Sequence, residues 1–305
     1  MTLENKIITI FGGSGFIGSH LCDALIKENP KKLIIFDNLS ASTIGNIKHL
    51  LSDKRVQFIN GDIRLYDEIA SIIKVSDFIF HLGASCVGSS LTNPRENLES
   101  NILGTFNILD LAVQLNPIVR IIYASSGSII SQATPYAISK LAAENYCNFY
   151  AKEKGLKITS LRYHHVYGPR QSIKNGLSGV INIFLNLILQ GKPPVIFGEG
   201  DAIKNFTNVS DIVKANLLVA LNDDTIGKVY DVASDIKVSI KKLAESLIEK
   251  YAEDKNMKAE YGEKRIGEIN ELFPNTAAIK ELGWKAEVEF EEGLEQCKKW
   301  VEEQL

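Results

Sequence analysis

A doubly wound parallel α/β sheet followed by a smaller C-terminal lobe is the architecture that the sequence predicts, and three observations carry the prediction. Short apolar strands alternate with helical stretches, the strands are apolar on both faces, and a glycine cluster sits at the first strand-to-helix junction. Strands covered by helices on both sides read this way. The length of 305 residues exceeds the size at which one core usually stops growing, hence the second lobe. The opening segment KIITIFGGSGFIGSHLCDALIK reads as strand, loop and helix, with Ile17, Leu21, Ala24 and Leu25 at helical spacing. Strands follow over 33–36, 56–59, 78–81 and 121–124, then a long helix over about 135–154, and SLRYHHVYG supplies another strand and a loop. Beyond 174 the pattern is less regular, with helices near 180–189, 211–221, 240–251 and 292–303. Residues 1–174 are therefore assigned mainly to the sheet domain and 175–305 mainly to the second lobe, some of whose segments return to the first sheet. The charged stretch EKYAEDKNMKAEYGEKR reads as a solvated helix end and loop.

Composition excludes several classes of function. With 45% apolar and 23% charged residues the chain is neither disordered nor fibrous. Its 34 basic and 37 acidic residues leave a net charge of −3, so no basic excess tracks a nucleic-acid backbone or an anionic membrane. Cys22, Cys86, Cys147 and Cys297 are far apart and form no C-x-x-C pair, which signals neither a metal site nor a disulfide framework and suits a reducing cytoplasm. There is no basic segment leading into an apolar stretch at the start and no 18-residue uncharged apolar run; neither export nor a membrane span is expected.

Gly12, Gly15 and Gly18 follow a strand and open a helix. A helix N-terminus offers unpaired N–H groups and the positive end of a dipole, and glycines let the backbone approach a pyrophosphate. A tight turn uses the same residues, but Asp37 ends the second strand 19 residues after Gly18, close to the spacing of a ribose-binding carboxylate. A carboxylate there accepts from a 2′-hydroxyl and repels a 2′-phosphate, so NAD is expected rather than NADP. Tyr136 and Lys140, four apart at the start of a helix, share a face. An unperturbed phenol, with a pKa of about 10, is a poor base, and the expectation is that the ammonium and an oxidised nicotinamide lower it. Ser126, at the end of the 121–124 strand, can place a hydroxyl in the same cleft.

These residues resemble an extended short-chain dehydrogenase/reductase of the NAD-dependent nucleotide-sugar epimerase/dehydratase group, which includes UDP-glucose 4-epimerase. The likeness runs through GGSGFIG (12–18), DNLSAS (37–42), GDI (61–63), HLGA (81–84), N-x-x-G-T (101–105), ASS (124–126), YAISK (136–140), LRYHHVYGP (161–169) and LGW (282–284). It implies a Rossmann-type domain, NAD, a nucleotide-sugar substrate with UDP favoured, and a homodimer through the helix carrying Tyr136 and the one near 96–115. It also implies roles: Phe16 and Ile17 along the pyrophosphate, Asp37, Asn38 and Ser42 at the adenosine ribose, Asp62 and Ile63 at the adenine. Leu82, Gly83, Ala84, Asn101 and His164 would line the cofactor cleft, although Asp62 also suits a helix cap and Asn101 a buried polar position. Lys140 would bind the nicotinamide ribose, Ser126 the reacting sugar oxygen, and His165, Lys204 and Arg265 the substrate.

Departures from the family pattern narrow the chemistry. Where the family reads G-x-G-x-x-x-R-D-F, this chain has Lys204 and Asn205, a cation without the bidentate fork. The loop from Ser126 to Tyr136 is short, and His164-His165 replaces a phenylalanine–asparagine pair; two polar fillers are favoured there over an acid/base pair titrating near neutrality. Dehydratases carry an acidic pair after the hydroxyl residue and decarboxylases a glutamate nearby, whereas this chain has Gly127 and Ser128. Elimination therefore lacks its proton donor. Hydride transfer without elimination remains, and the expectation is C4 epimerisation of a nucleotide hexose with Ser126, Tyr136 and Lys140 as the reacting set. The alternatives are a 4-ketoreductase or dehydratase of the same group, or a non-catalytic sensor.

Overall fold

The computed structural model describes residues 1–173, 179–264 and 270–305. Strands β1 (Ile7–Phe11), β2 (Lys32–Asp37), β3 (Val56–Asn60), β4 (Phe78–His81), β5 (Arg120–Ser126) and β6 (Lys157–Tyr163) lie parallel in the spatial order β3-β2-β1-β4-β5-β6. Short strands β7 (Val166–Tyr167), β8 (Val195–Phe197), β9 (Ile203–Asn205) and β10 (Thr207–Asn208) follow. Next come β11 (Val229–Val232), β12 (Lys237–Ser239) and β13 (Glu260–Gly262). β11 returns from the second half of the chain to the edge of the main sheet, Tyr230 opposite Leu161 and Asp231 opposite Arg162, and makes it seven-stranded.

The helices are α1 (Phe16–Leu25), α2 (Tyr66–Val75), α3 (Val87–Ser90), α4 (Pro94–Asn97), α5 (Gly104–Leu115), α6 (Pro135–Lys154), α7 (Val180–Leu189), α8 (Val209–Leu221), α9 (Ile240–Tyr251), α10 (Ala277–Glu281) and α11 (Phe290–Glu302). A π-helical turn at Leu98–Leu103 joins α4 to α5. α6 starts where Thr134 accepts from the Ala137 N–H and Pro135 supplies a preset φ, and stops at Gly155, whose φ of 72° a side chain would resist.

Alternation along the strands divides the core. Ile8, Ile10, Leu33, Ile35 and Ile122 face α1 and α8, whereas Phe11, Ile34, Phe36, Ile121 and Tyr123 face α2, α5 and α6. Truncating one of these buried aliphatic residues to alanine costs about 2–5 kcal/mol, which is what holds both helical layers to the sheet. A third cluster, built on Phe184, Leu185, Leu243, Leu247, Leu294 and Val301, packs α7, α9 and α11 together. β5 runs on to Ser126, two residues past its sequence-expected end. The charged stretch near 249–265 is not loop throughout, because β13 pairs parallel with β8 there.

Candidate active site

The sheet reverses its strand order between β2, β1 and β4, and the loops leaving the C-terminal ends of these strands form a cleft of about 110 Å³. Open α/β sheets bind ligands at this position. Gly12 has φ 78°, and a Cβ on it would lie 2.7–2.9 Å from the backbone of Leu82 and Gly83. On Gly18 a Cβ would fall 2.2 Å from the Gly12 carbonyl oxygen. α1 therefore approaches the strand ends closely, and no side chain caps its N-terminus, where Phe16 and Ile17 form the first turn. This bare, glycine-lined helix start fits a pyrophosphate.

Asp37 closes β2, taking the Ser14 N–H at 3.0 Å on one oxygen and the Leu39 N–H and Ser42 hydroxyl, each at 2.9 Å, on the other. Ser42 thus holds the carboxylate in place. Asn38 donates to Asp62 at 3.2 Å, and Arg64 grips the same carboxylate through two nitrogens at 2.6 and 3.0 Å. Burial pushes the Asp62 carboxyl up, but the Arg64 and Asn38 bonds outweigh it and hold the group below its ordinary value. Ile63, Leu82, Gly83 and Ala84 line the cleft beside it. Asn101 does not face it: the buried amide accepts from the Ser85 N–H at 2.8 Å and donates to Ser139 at 2.9 Å and Asn97 at 3.3 Å. Its work is to bind the loop after β4 to α6, which corrects the expectation that it lines the cleft.

Ser126, the last residue of β5, accepts from the Ser128 N–H at 3.2 Å. Tyr136, in the first turn of α6, lies beside Ser126, whose hydroxyl acts on the phenol. Burial raises the phenol above its ordinary value, Ser126 draws it down, and the nearby Cys86 thiol pushes it up. Lys140, one turn further, is buried, donates to the Ala124 carbonyl at 2.5 Å and lies 4.4 Å from the Tyr123 ring centroid. Burial lowers its ammonium to about 8. The ammonium is directed to a carbonyl and a ring, and Ser126 is the neighbour that lowers the phenol here.

An ion pair and a histidine–carboxylate hydrogen bond flank this set. Ser125 donates to Glu144 at 2.6 Å, and Arg162 holds Glu144 through contacts of 2.6 and 3.0 Å. His164 lies with Nε2 3.2 Å from Asp231. His165 has φ 36° and packs edge-on to Phe206. Burial, then Lys204 and His164, push its imidazole down to about 3, so it stays neutral and does not titrate near pH 7. Lys204 sits in β9, opposite Val238. Arg265 lies outside the described residues. Glu144, Arg162 and Asp231 escaped the sequence reading; Glu144, one helical turn beyond Lys140, was the detectable one.

The family model described as NAD dependent epimerase/dehydratase matches residues 8–233. The chain belongs to this family. Among related members, a Methanocaldococcus jannaschii protein provisionally named UDP-glucose 4-epimerase is 34% identical, covering 97% of this chain and 98% of its own. A UDP-N-acetylglucosamine 4-epimerase from Methanobrevibacter ruminantium, solved with UDP-N-acetylmuramic acid, is 30% identical with a TM-score of 0.90 over 99% of this chain and 100% of its own. A UDP-glucose 4-epimerase from Thermotoga maritima, solved with UDP-glucose, is 29% identical with a TM-score of 0.88 over 98% of this chain and 99% of its own. The two solved structures match this family member over nearly its whole length.

Proposed function

We propose that this family member is an NAD-dependent epimerase that inverts C4 of a UDP-hexose. One observation carries the reading: Ser126 closes β5 beside Tyr136 in the first turn of α6, Lys140 is buried one turn further on, and no carboxyl group follows Ser126. The Gly12–Gly18 turn and Asp37 would hold NAD, which when bound supplies the acceptor and donor of a hydride at C4. Tyr136, as phenolate, takes the proton of the 4-hydroxyl, and Ser126 fixes that oxygen by hydrogen bonding. The 4-keto sugar turns over in the pocket, and Tyr136 returns the proton to the same oxygen as C4 is reduced on its other face. Lys140, anchored on Ala124, presents a buried cation to the nicotinamide ribose. No group needs to protonate a departing hydroxyl, in keeping with Gly127 and Ser128 after Ser126.

The 175–305 lobe would receive the nucleotide diphosphate, with Lys204 and His165 on its near side and Arg265 contributing by resemblance. A homodimer is supported by apolar residues left exposed on α6, Ile138 at 54% and Phe149 at 51%, beside Leu103 at 42%. Four free cysteines suit a reducing cytoplasm. The test is incubation with UDP-, GDP-, dTDP- and CDP-hexoses, followed by NMR of the products, together with an assay of NAD retained through purification. A C4 epimer with cofactor retained stoichiometrically supports the reading. Loss of NAD at each turnover points to a ketoreductase instead, and a Tyr136→Phe variant as active as the parent refutes the site.

A further inference from the structure

We infer that His164 and Asp231 are a positioning pair which, pressed against Gly127, fixes the end of β5 and so aims the Ser126 hydroxyl at Tyr136. This rests on the epimerase reading of the same site. His164 is only 1% exposed, and its Nε2 meets Asp231 Oδ1 at 3.2 Å. Asp231 Oδ2 accepts the Asn275 N–H at 2.9 Å, so one carboxylate ties β11, the residue after β6 and the segment before α10 to each other. The imidazole fills the place where a side chain at 127 would go: a Cβ on Gly127 would lie 2.2 Å from His164 Cε1 and 2.3 Å from Nδ1. His164 Nδ1 is buried without a hydrogen-bond partner, which assigns the proton to Nε2, donating to Asp231.

Ser125, on the other side, is held by Glu144, itself held by Arg162. Residues either side of Ser126 are therefore each seated on a side-chain anchor, Ser125 on the Glu144–Arg162 ion pair and Gly127 on the His164 ring held by Asp231. The backbone that carries the Ser126 hydroxyl is thus held on both sides, by α6 through Ser125 and by the His164 ring through Gly127. The pair is joined by Arg162, which lies opposite Asp231 in the sheet, so the charged and titratable groups around His164 are Asp231, Arg162 behind it, and its neutral neighbour His165. Around Tyr136 they are Ser126 on β5, Cys86 before α3, and Lys140 on its own helix. A residue at 164 that packs like a ring but carries no nitrogen would keep the contact with Gly127 and lose the anchor to β11.

The test uses the full chain with bound NAD and compares His164→Phe, Asp231→Asn and the double variant with the parent. The expected result is a fall in kcat of roughly 10- to 100-fold, as for a reacting group displaced by about 1 Å. KM for the UDP-sugar stays within about twofold, and the double variant is no worse than His164→Phe. The acidic limb of the kcat profile should move to higher pH, because Tyr136 loses the neighbouring Ser126 hydroxyl that favours its phenolate. Spectrophotometric titration of the Tyr136 phenol, taken as a difference against Tyr136→Phe, reads the same upward shift without turnover. An unmoved phenol titration in the folded variants overturns the inference, as does a raised KM at unchanged kcat, which would make His164 a substrate contact. A parent chain that turns over no UDP-sugar while its phenol shifts on substitution would overturn the epimerase reading and leave the positioning pair standing.

Discussion

Gly15→Ala separates a glycine needed by the fold from one needed by the cofactor. Gly15 has φ −68° and ψ 178°, which alanine adopts freely, and a Cβ there would meet nothing nearer than the Gly12 carbonyl oxygen at 3.2 Å. The neighbour has to give by a few tenths of an ångström. Alanine is a poorer N-cap than glycine by about 0.5–1 kcal/mol, while restricting the unfolded chain returns about 0.4–1 kcal/mol, so the two nearly cancel. Thermal unfolding without added NAD should shift by no more than about 2 °C. The methyl would, however, stand at the mouth of α1 where the pyrophosphate is proposed to approach. Weakening one or two charge-assisted bonds of about 1.5–3 kcal/mol each lowers affinity at least 10-fold. Calorimetric titration with NAD and melting curves with and without it measure both quantities. Gly18→Ala is the contrast: its Cβ would strike backbone at 2.2 Å, a compression the fold relieves only by moving α1, costing about 1–3 kcal/mol before any ligand is added. Wild-type NAD affinity in Gly15→Ala would show that the pyrophosphate lies elsewhere.

Three further outcomes are expected. His81 and His165 are each held near 3 by burial, against about 6.5 when unfolded, so the unfolded chain binds protons that the folded chain refuses. Their contribution is whole above about pH 6.5 and is lost toward pH 3 at about 1.4 kcal/mol per pH unit each; melting curves should fall steadily from pH 7 to pH 5, and less steeply for His165→Asn. Glu144→Gln removes the charge facing Arg162 from a buried pair. Because the Arg162 side chain is 29% exposed, the loss should sit at or below the lower end of the 3–5 kcal/mol range, about 2–3 kcal/mol, read as a lower denaturant midpoint at unchanged slope. Charging the exposed α6 face with Ile138→Glu and Phe149→Glu should convert the proposed dimer to monomer by light scattering, and a parent chain already monomeric at the same concentration ends that proposal.

Much of the framework was legible because it rests on local signals. Strand, glycine loop and helix follow one another within 25 residues, and Asp37 closes the next strand, so near-neighbour spacing suffices to place both beside the cleft. α6 is legible for the same reason, bounded by Thr134-Pro135 and Gly155. The buried pairs were not, since Glu144 and Arg162 are separated by 18 residues and His164 and Asp231 by 67, and only the folded sheet makes them adjacent. Lys140 shows a subtler gap. Helical spacing puts it on the face of Tyr136, yet spacing says nothing of a carbonyl one strand away, and the ammonium takes that partner. His165 is of a type that can titrate near neutrality, yet the filler reading favoured from sequence holds for it, because burial beside Lys204 keeps it neutral.

The choice of reaction and the identity of residue 164 are bound by space. Dehydration by family members needs a carboxyl group directly after the hydroxyl residue, and in this chain that place is position 127. The His164 ring already fills it, leaving less than 2.7 Å between three ring atoms and any Cβ there. A carboxylate at 127 would have to displace an imidazole anchored on Asp231, which is anchored in turn on Asn275. Displacement would leave Asp231, 9% exposed, without its ring partner and the end of β5 without its seat. Gly127 is therefore more than a missing acid. It is the residue that lets a histidine hold the hydroxyl strand in place, and the same packing that steadies Ser126 for proton exchange closes the route to elimination.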